Sequence, residues 1–362
     1  MNKARHWINL AIQSMQAYHV PRAEGLIKLD AMENPYSWPE ELNRQWLEEV
    51  NSVRINRYPD PAATSLSKRL RLVMQIPDNL SIMLGNGSDE LIQILALALA
   101  QPDRVYLSLE PGFVMYRQIS QAVNTNYIAV PLESDNFDLD RATVISAIKR
   151  HQPALVFIAY PNNPTGNLFD TETVLEIIRT TPGLIVIDEA YHAFSGETFL
   201  DYVNQFDNLL VLRTLSKSGL AGLRLGYLIG GDCWLTELEK IRLPYNINSL
   251  SQVTGNFILR HYDFLENQAR QICQSRDIVF KELSTMEGIQ AWPSKANFVM
   301  FRVSGRNADA VFDELLQRGI LIKNLHGTQP LLDNCLRVTI GTEQENRIFL
   351  DTMQEVNRLP IS

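Results

Sequence analysis

The stretch NLLVLRTLSKSGLAGLRLGYLIG, residues 208–230, decides how the rest of the chain is read. Leu209 to Leu212 is a short apolar run of the kind that makes a strand buried on both faces. Thr214-Leu215-Ser216-Lys217 follows, then the small residues Ser218, Gly219, Ala221 and Gly222, and a second apolar run after Arg224. Lysine is seldom buried unless paired, because an ammonium group loses much hydration energy there. At the mouth of a buried strand its pKa falls, and the free amine can attack a carbonyl to form a Schiff base. A solvated lysine beside a tight turn fits the segment equally well. The neighbouring segments have to decide between the two.

Working outward, apolar runs alternate with helical patterns. Strands are expected at 82–84, 104–109, 126–130, 154–160, 184–187, 209–212 and 225–229, with helices between several of them at 89–100, 111–123, 139–151 and 171–180. Such alternation predicts a mainly parallel sheet covered on both faces, with ligands gathered at the carboxyl ends of its strands. Upstream, Trp7, Ile8, Ala11, Ile12 and Met15 share one stripe of an amphipathic helix over 3–18. A short strand at 26–30 and helices at 40–50 and 64–74 follow. After Pro244 the pattern changes to two helices over 249–286, then strands at 297–303, 321–323 and 335–340 around a helix at 308–318. A final helix is expected to begin after a Thr342 cap and end near Val356. The expected division is 45–250 as a large domain, with 1–44 and 251–362 forming a smaller α+β domain.

Composition narrows the function classes. The 362 residues are 45% hydrophobic and 20% charged, with a net charge of −8, so no basic footprint for nucleic acid is present. Cys233, Cys273 and Cys335 are scattered, without a CxxC pair or a disulfide framework, as in a cytoplasmic protein. Asn9 and Gln13 interrupt any apolar core near the start, so no export signal is expected, and the apolar run near Ile94–Ala100 is too short for a bilayer. The six histidines show neither HxxxH nor HxH spacing, so no metal site is expected.

Several strand ends carry polar residues that a scaffold alone would not need. Gly87-Ser88-Asp89 sets backbone N–H groups at a helix start, suited to a phosphate, although Ser88 as a plain N-cap explains the same residues. Asn162-Asn163-Pro164-Thr165-Gly166 reads as a turn. Asp188 directly follows a buried strand and needs a cationic or hydrogen-bonding partner: a cofactor pyridinium or Arg224 would serve, and so would a structural ion pair. A rival chemistry starts from Ser65-Leu66-Ser67-Lys68, which matches the S-x-x-K of penicillin-recognising serine enzymes, with Ser134-Asp135-Asn136 matching their S-D-N. No K-T-G follows, and a polar helix start and a turn account for both.

Seven segments in order resemble the fold-type I aminotransferases that use pyridoxal 5′-phosphate, and among them the histidinol-phosphate aminotransferase branch. They are Leu29-Asp30-Ala31-Met32-Glu33-Asn34-Pro35-Tyr36, Arg57-Tyr58-Pro59-Asp60, Gly85-Asn86-Gly87-Ser88-Asp89-Glu90, residues 161–166, Asp188-Glu189-Ala190-Tyr191, residues 214–226, and Cys335-Leu336-Arg337-Val338-Thr339-Ile340-Gly341. Any one is a weak signal, but their order over nearly the whole chain is specific.

The resemblance implies an α/β fold and a set of roles. Lys217 would hold pyridoxal 5′-phosphate covalently and move the proton between substrate Cα and cofactor. Asp188 would pair with the pyridinium nitrogen, Asn163 and Tyr191 would bond the ring hydroxyl, and Phe113 would stack on the ring where the family usually has tyrosine. Ser88, Asp89, Thr214, Ser216 and Arg224 would hold the phosphate, with Tyr58 reaching the phosphate of a second subunit in a homodimer with shared sites. Arg337 would grip the substrate's anionic group, aided by Tyr18 and Lys323. Lys323 stands where many members have arginine, and the 217–224 loop is one residue shorter than the common form. The implied reaction converts L-histidinol phosphate and 2-oxoglutarate to imidazole acetol phosphate and glutamate, in histidine biosynthesis. An aromatic amino acid aminotransferase or a threonine-phosphate decarboxylase would share Lys217 and Asp188. A non-catalytic regulator would need a DNA-reading module, and no basic helix-turn-helix is visible.

Overall fold

In the computed structural model, residues 3–17 and 21–358 are described. The first sheet has seven strands: β2 (Ser81–Asn86), β3 (Val105–Glu110), β4 (Asn126–Pro131), β5 (Leu155–Ala159), β6 (Leu184–Asp188), β7 (Leu209–Thr214) and β8 (Leu225–Gly230), which follow a short β1 (Ile27–Leu29) that lies elsewhere. Their order is β2-β8-β7-β6-β5-β3-β4, and β8 alone runs against its neighbours. Every residue of β5, β6, β7 and β8 is buried, which is why their sequences read as unbroken apolar runs rather than alternations. Each buried Leu, Ile or Val side chain stabilises by about 1.5–3 kcal/mol, a reserve that offsets the cost of setting polar groups at the strand ends.

The second sheet contains β1 with β9 (Ile289–Ala291), β10 (Phe298–Val303), β11 (Ile320–Asn324) and β12 (Cys335–Thr339), in the order β1-β11-β12-β10-β9. Only β1 and β11 pair in parallel. Leu29, Phe298, Phe301, Leu336 and Val338 meet Val311, Phe349 and Met353 of the covering helices in one apolar core. The helix Ser249–Ile258 packs on Glu40–Val50 and Thr64–Val73, while the 23-residue helix Tyr262–Ser284 runs along the second sheet. Thr342 caps the last helix, Glu343–Arg358, in a reciprocal box: Glu345 N–H donates to Thr342 Oγ1 (3.2 Å) and Thr342 N–H to Glu345 Oε2 (2.7 Å).

This is the α/β architecture expected from the sequence, a mainly parallel central sheet with a smaller α+β unit. Two local expectations need correction. The helix over 3–18 is instead two short helices, Lys3–Trp7 and Leu10–Gln13, because Asn9 Oδ1 accepts the Ala11 N–H and starts a new helix. Trp7, Ile8 and Ile12 of its apolar stripe stay exposed, Trp7 at 84%, while Ala11 and Met15 are half-buried. At the helix Ser88–Leu99 the N-cap is Gly87, not Ser88: the cap backbone has φ +85° and ψ 163°, a conformation that glycine adopts without a Cβ clash. Among the described residues no helix is long and apolar enough to cross a membrane.

Candidate active site

Strands β5, β6 and β7 run in parallel and end at one edge, where Ala159 is level with Asp188 and Asp188 with Leu212. Asp188, the last residue of β6, is buried. Its Oδ2 accepts the Tyr116 hydroxyl at 2.7 Å and its Oδ1 the Ala190 N–H at 3.1 Å. Neither partner is a cation. Burial pushes its pKa from 3.8 up to about 6, and the Tyr116 and Ala190 hydrogen bonds oppose that rise. Arg224, one expected partner, pairs instead with Asp89 at 3.2 Å. The structural ion pair weighed for this position is found at the next residue, where Glu189 meets Arg213 at 2.9 Å.

Beyond β7 the chain makes a wide helical turn, Ser216–Leu220, broken by Gly219 at φ +104°. Thr214 Oγ1 secures it, donating to Leu225 O (3.1 Å) and accepting the Ser216 N–H (3.2 Å). Lys217 thereby stands at the strand end with its Nζ donating to the Ala31 carbonyl at 3.3 Å and lying 6.0 Å from the Tyr191 ring centre. Burial, and then the nearby Arg337 guanidinium, lower its pKa from 10.5 to about 8. Lys217 is half-buried, and its lowered pKa favours the desolvated amine over the solvated loop lysine.

The shortened 217–224 loop closes with Arg224 in the left-handed region, φ +51°. Its guanidinium then lies against Gly87, where an added Cβ would come 2.4 Å from Nη2. Ser88 and Asp89 in the first turn of their helix, Thr214 and Ser216 face the same space, so helix N–H groups, two hydroxyls and a guanidinium form one anion-attracting pole. On the opposite wall Asn163 Nδ2 donates to the Tyr191 hydroxyl at 3.2 Å, while Arg337 Nη1 bonds Asn163 Oδ1. Arg337 also donates to Asp30 O at 3.0 Å and covers the Phe298 ring at 5.0 Å. Lys323 is opposite Arg337 in the β11–β12 register, and burial followed by Arg337 repulsion lowers its pKa.

Ten of the predicted cofactor contacts thus line one cavity of about 530 Å³, counted with its mouth. Tyr58 is not among them: it is 81% exposed and stacks on Tyr245, ring centres 4.4 Å apart. Tyr18 lies outside the described residues. A wider groove of about 1420 Å³, between the end of Tyr262–Ser284 and Glu343–Arg358, holds none of the predicted residues. Ser65 and Lys68 are exposed on the helix Thr64–Val73, away from this cavity, and Ser65 does not line the separate cavity that Lys68 borders, so the serine-nucleophile alternative gains no support. Sequence reasoning missed Tyr116, which looks like one more apolar position of an amphipathic helix. Its spacing of three from Phe113 is the only signal that could have placed it on the same face.

The aminotransferase class I and II family model matches residues 24–353. The chain belongs to that family, whose members are pyridoxal-phosphate-dependent transaminases. It is 51% identical to histidinol-phosphate aminotransferase 2 of Nitrosococcus oceani, over 98% of this chain and 98% of that one. It is 46% identical to histidinol-phosphate aminotransferase 2 of Cupriavidus pinatubonensis, covering 94% and 93%. In fold it is similar to the crystal structure of histidinol-phosphate aminotransferase from Sinorhizobium meliloti in complex with pyridoxal-5′-phosphate, with a TM-score of 0.85 at 22% identity over 97% and 98% of the two chains.

Proposed function

We propose that this chain transfers the amino group of L-histidinol phosphate to 2-oxoglutarate, giving imidazole acetol phosphate and L-glutamate, with pyridoxal 5′-phosphate as cofactor. The observation that carries the reading is the pairing of two groups across one cavity: a half-buried lysine with a lowered pKa and a buried carboxylate that has no cation against it among the described residues. Relatives of the same name, 46–51% identical over nearly their full lengths, support the choice of substrate.

The residues present fit the cofactor. The pole of Ser88, Asp89, Thr214, Ser216 and Arg224 would take its phosphate, Asn163 and Tyr191 its ring hydroxyl, Phe113 one ring face, and Asp188 its ring nitrogen. When bound, pyridoxal phosphate supplies an electron sink for the charge left at the substrate Cα on loss of its proton. Lys217 Nζ would take that proton from the substrate Cα and pass it to the cofactor, and a pKa near the working pH suits an amine to both directions. Asp188, ionised, stabilises positive charge at the ring nitrogen. Arg337, a planar fork with Lys323 opposite it in the strand register, would bind the phosphate of one substrate and the carboxylate of the other in turn, and ping-pong order would follow from the cofactor storing the amino group between the two half-reactions.

In this reading the protein acts in the cytoplasm as a homodimer, the segments 45–250 forming the large domain and 1–44 with 251–362 the small one. Tyr58, Ile55 and Leu243 are exposed at 81%, 82% and 70%, an apolar surface suited to a second copy, whose phosphate pole Tyr58 would reach. Steady-state kinetics test the substrate choice. The kcat/KM for histidinol phosphate should exceed that for phenylalanine or tyrosine by at least ~10²-fold, because Arg337 and Lys323 together would meet a doubly charged phosphate in the former and only a singly charged carboxylate in the latter. Equal values, or carbon dioxide release from threonine phosphate, would overturn it.

A further inference from the structure

Asp188 is held by the fold in a way that points to one residue. Among the described residues each carboxylate oxygen has a single donor, Tyr116 Oη on Oδ2 and the Ala190 N–H on Oδ1. The Ala190 contact is local, two residues along the chain. Tyr116 comes from another element, the helix Val114–Ala122, and its ring is almost fully buried. That ring lies parallel to Phe157 of β5, centres 4.6 Å apart and planes 1° apart, and meets the edge of Phe113 at 5.5 Å and 86°. The hydroxyl is thus held at the end of a ring with no room to swing, and the same ring braces Phe113.

We propose that Tyr116 is a positioning residue for the cofactor site, its hydroxyl orienting the Asp188 carboxylate and keeping it ionised toward the cofactor's ring nitrogen. This rests on the reading of Asp188 given above. The physical basis is that a donor to a carboxylate favours the charged form, and a buried carboxylate without one takes up a proton and can no longer pair with a cation. The hydrogen bond from Tyr116 opposes the burial that raises the Asp188 pKa. A tyrosine present only to fill the core would act equally well as phenylalanine, since the stack on Phe157 needs no hydroxyl.

The test is a double-mutant cycle on cofactor affinity, with Tyr116→Phe, Asp188→Asn and the pair, each titrated as apoprotein with pyridoxal 5′-phosphate by visible absorption. Tyr116→Phe keeps the ring and its packing. It should weaken binding on the order of tenfold in the natural background, the size expected for a hydrogen bond to a charged group, and within about twofold in the Asp188→Asn background. In the reconstituted enzyme Tyr116→Phe should lower kcat, leave KM for the amino donor unchanged, and shift the bound cofactor's visible absorption; none of these effects should appear when Asp188 is already asparagine. Equal losses in both backgrounds, or no loss in either, would overturn the role of Tyr116 while leaving the cofactor reading intact. An unaltered apoprotein that takes up no pyridoxal phosphate would instead remove that reading, and this inference with it.

Discussion

Asp188 and Glu189 are neighbours at the end of β6, yet the fold treats them oppositely. Glu189 is completed by the protein: Arg213 Nε donates to it at 2.9 Å, Thr198 Oγ1 at 3.0 Å and the Phe199 N–H at 2.6 Å. Arg213 and Glu189 side chains are 4% and 0% exposed, a dry ion pair that ties β7 to the loop after β6. Asp188 turns to the other side of the strand end, as successive strand residues do, and among the described residues it has only a hydroxyl and an N–H. One carboxylate has its countercharge built in. The other has no countercharge among the described residues, and under the proposed function it would meet the cofactor's ring nitrogen.

Substituting each acid's surroundings should separate the two sides. Asp188→Asn should lower turnover on the order of 10²-fold or more, with the thermal midpoint of the cofactor-free protein unchanged or raised, because no countercharge is stranded. A large loss of apoprotein stability would place Asp188 with the structural acids. Arg213→Ala should do the reverse, costing about 3–5 kcal/mol in denaturant unfolding by stranding Glu189, while molecules that stay folded retain their turnover. A stability loss near zero would show that the pair is solvated in solution.

A pH titration sharpens the comparison further. Folding raises the Asp188 pKa from 3.8 to about 6, so the folded cofactor-free chain holds an extra proton between about pH 4 and pH 6. Stability of the apoprotein should therefore fall as pH rises through that window, by roughly 3 kcal/mol from this group, and stay lost above it. Comparing the unfolding free energy of the apoprotein with that of Asp188→Asn isolates the effect: the variant's advantage should grow from pH 4 to 6. An advantage independent of pH would contradict the raised pKa.

The parts legible in the sequence were those whose signal is local. Strands β5 to β7 announce themselves by apolar runs, and Asp188, Asn163 and Lys217 are recognisable because each directly follows one. Partners set by packing were not legible. Tyr116 and Asp188 are 72 residues apart, and nothing in either segment says that a helix will lay one hydroxyl on the other strand's end. Arg213 sits inside a strand whose neighbours are apolar, so its pairing with Glu189, 24 residues away, depends on the register of β6 and β7. The role given to Ser88 as a cap failed for a different reason: Gly87 can take a backbone angle that serine avoids, and the helix starts one residue earlier. At the N-terminus, periodicity predicted one helix, but the Asn9 side chain competes for a backbone N–H and divides it.

Under the proposed function Lys217 and Asp188 serve one cofactor that shuttles an amino group from histidinol phosphate. The most direct measurement is the visible spectrum of the protein reconstituted with pyridoxal phosphate, taken before and after adding histidinol phosphate without 2-oxoglutarate, with Lys217→Ala in parallel. The yellow absorption should bleach on adding the donor and return with 2-oxoglutarate. The variant should show no covalent attachment and a turnover lower by at least ~10³-fold. A spectrum indifferent to histidinol phosphate, or a Lys217→Ala protein that turns over normally, would contradict the account.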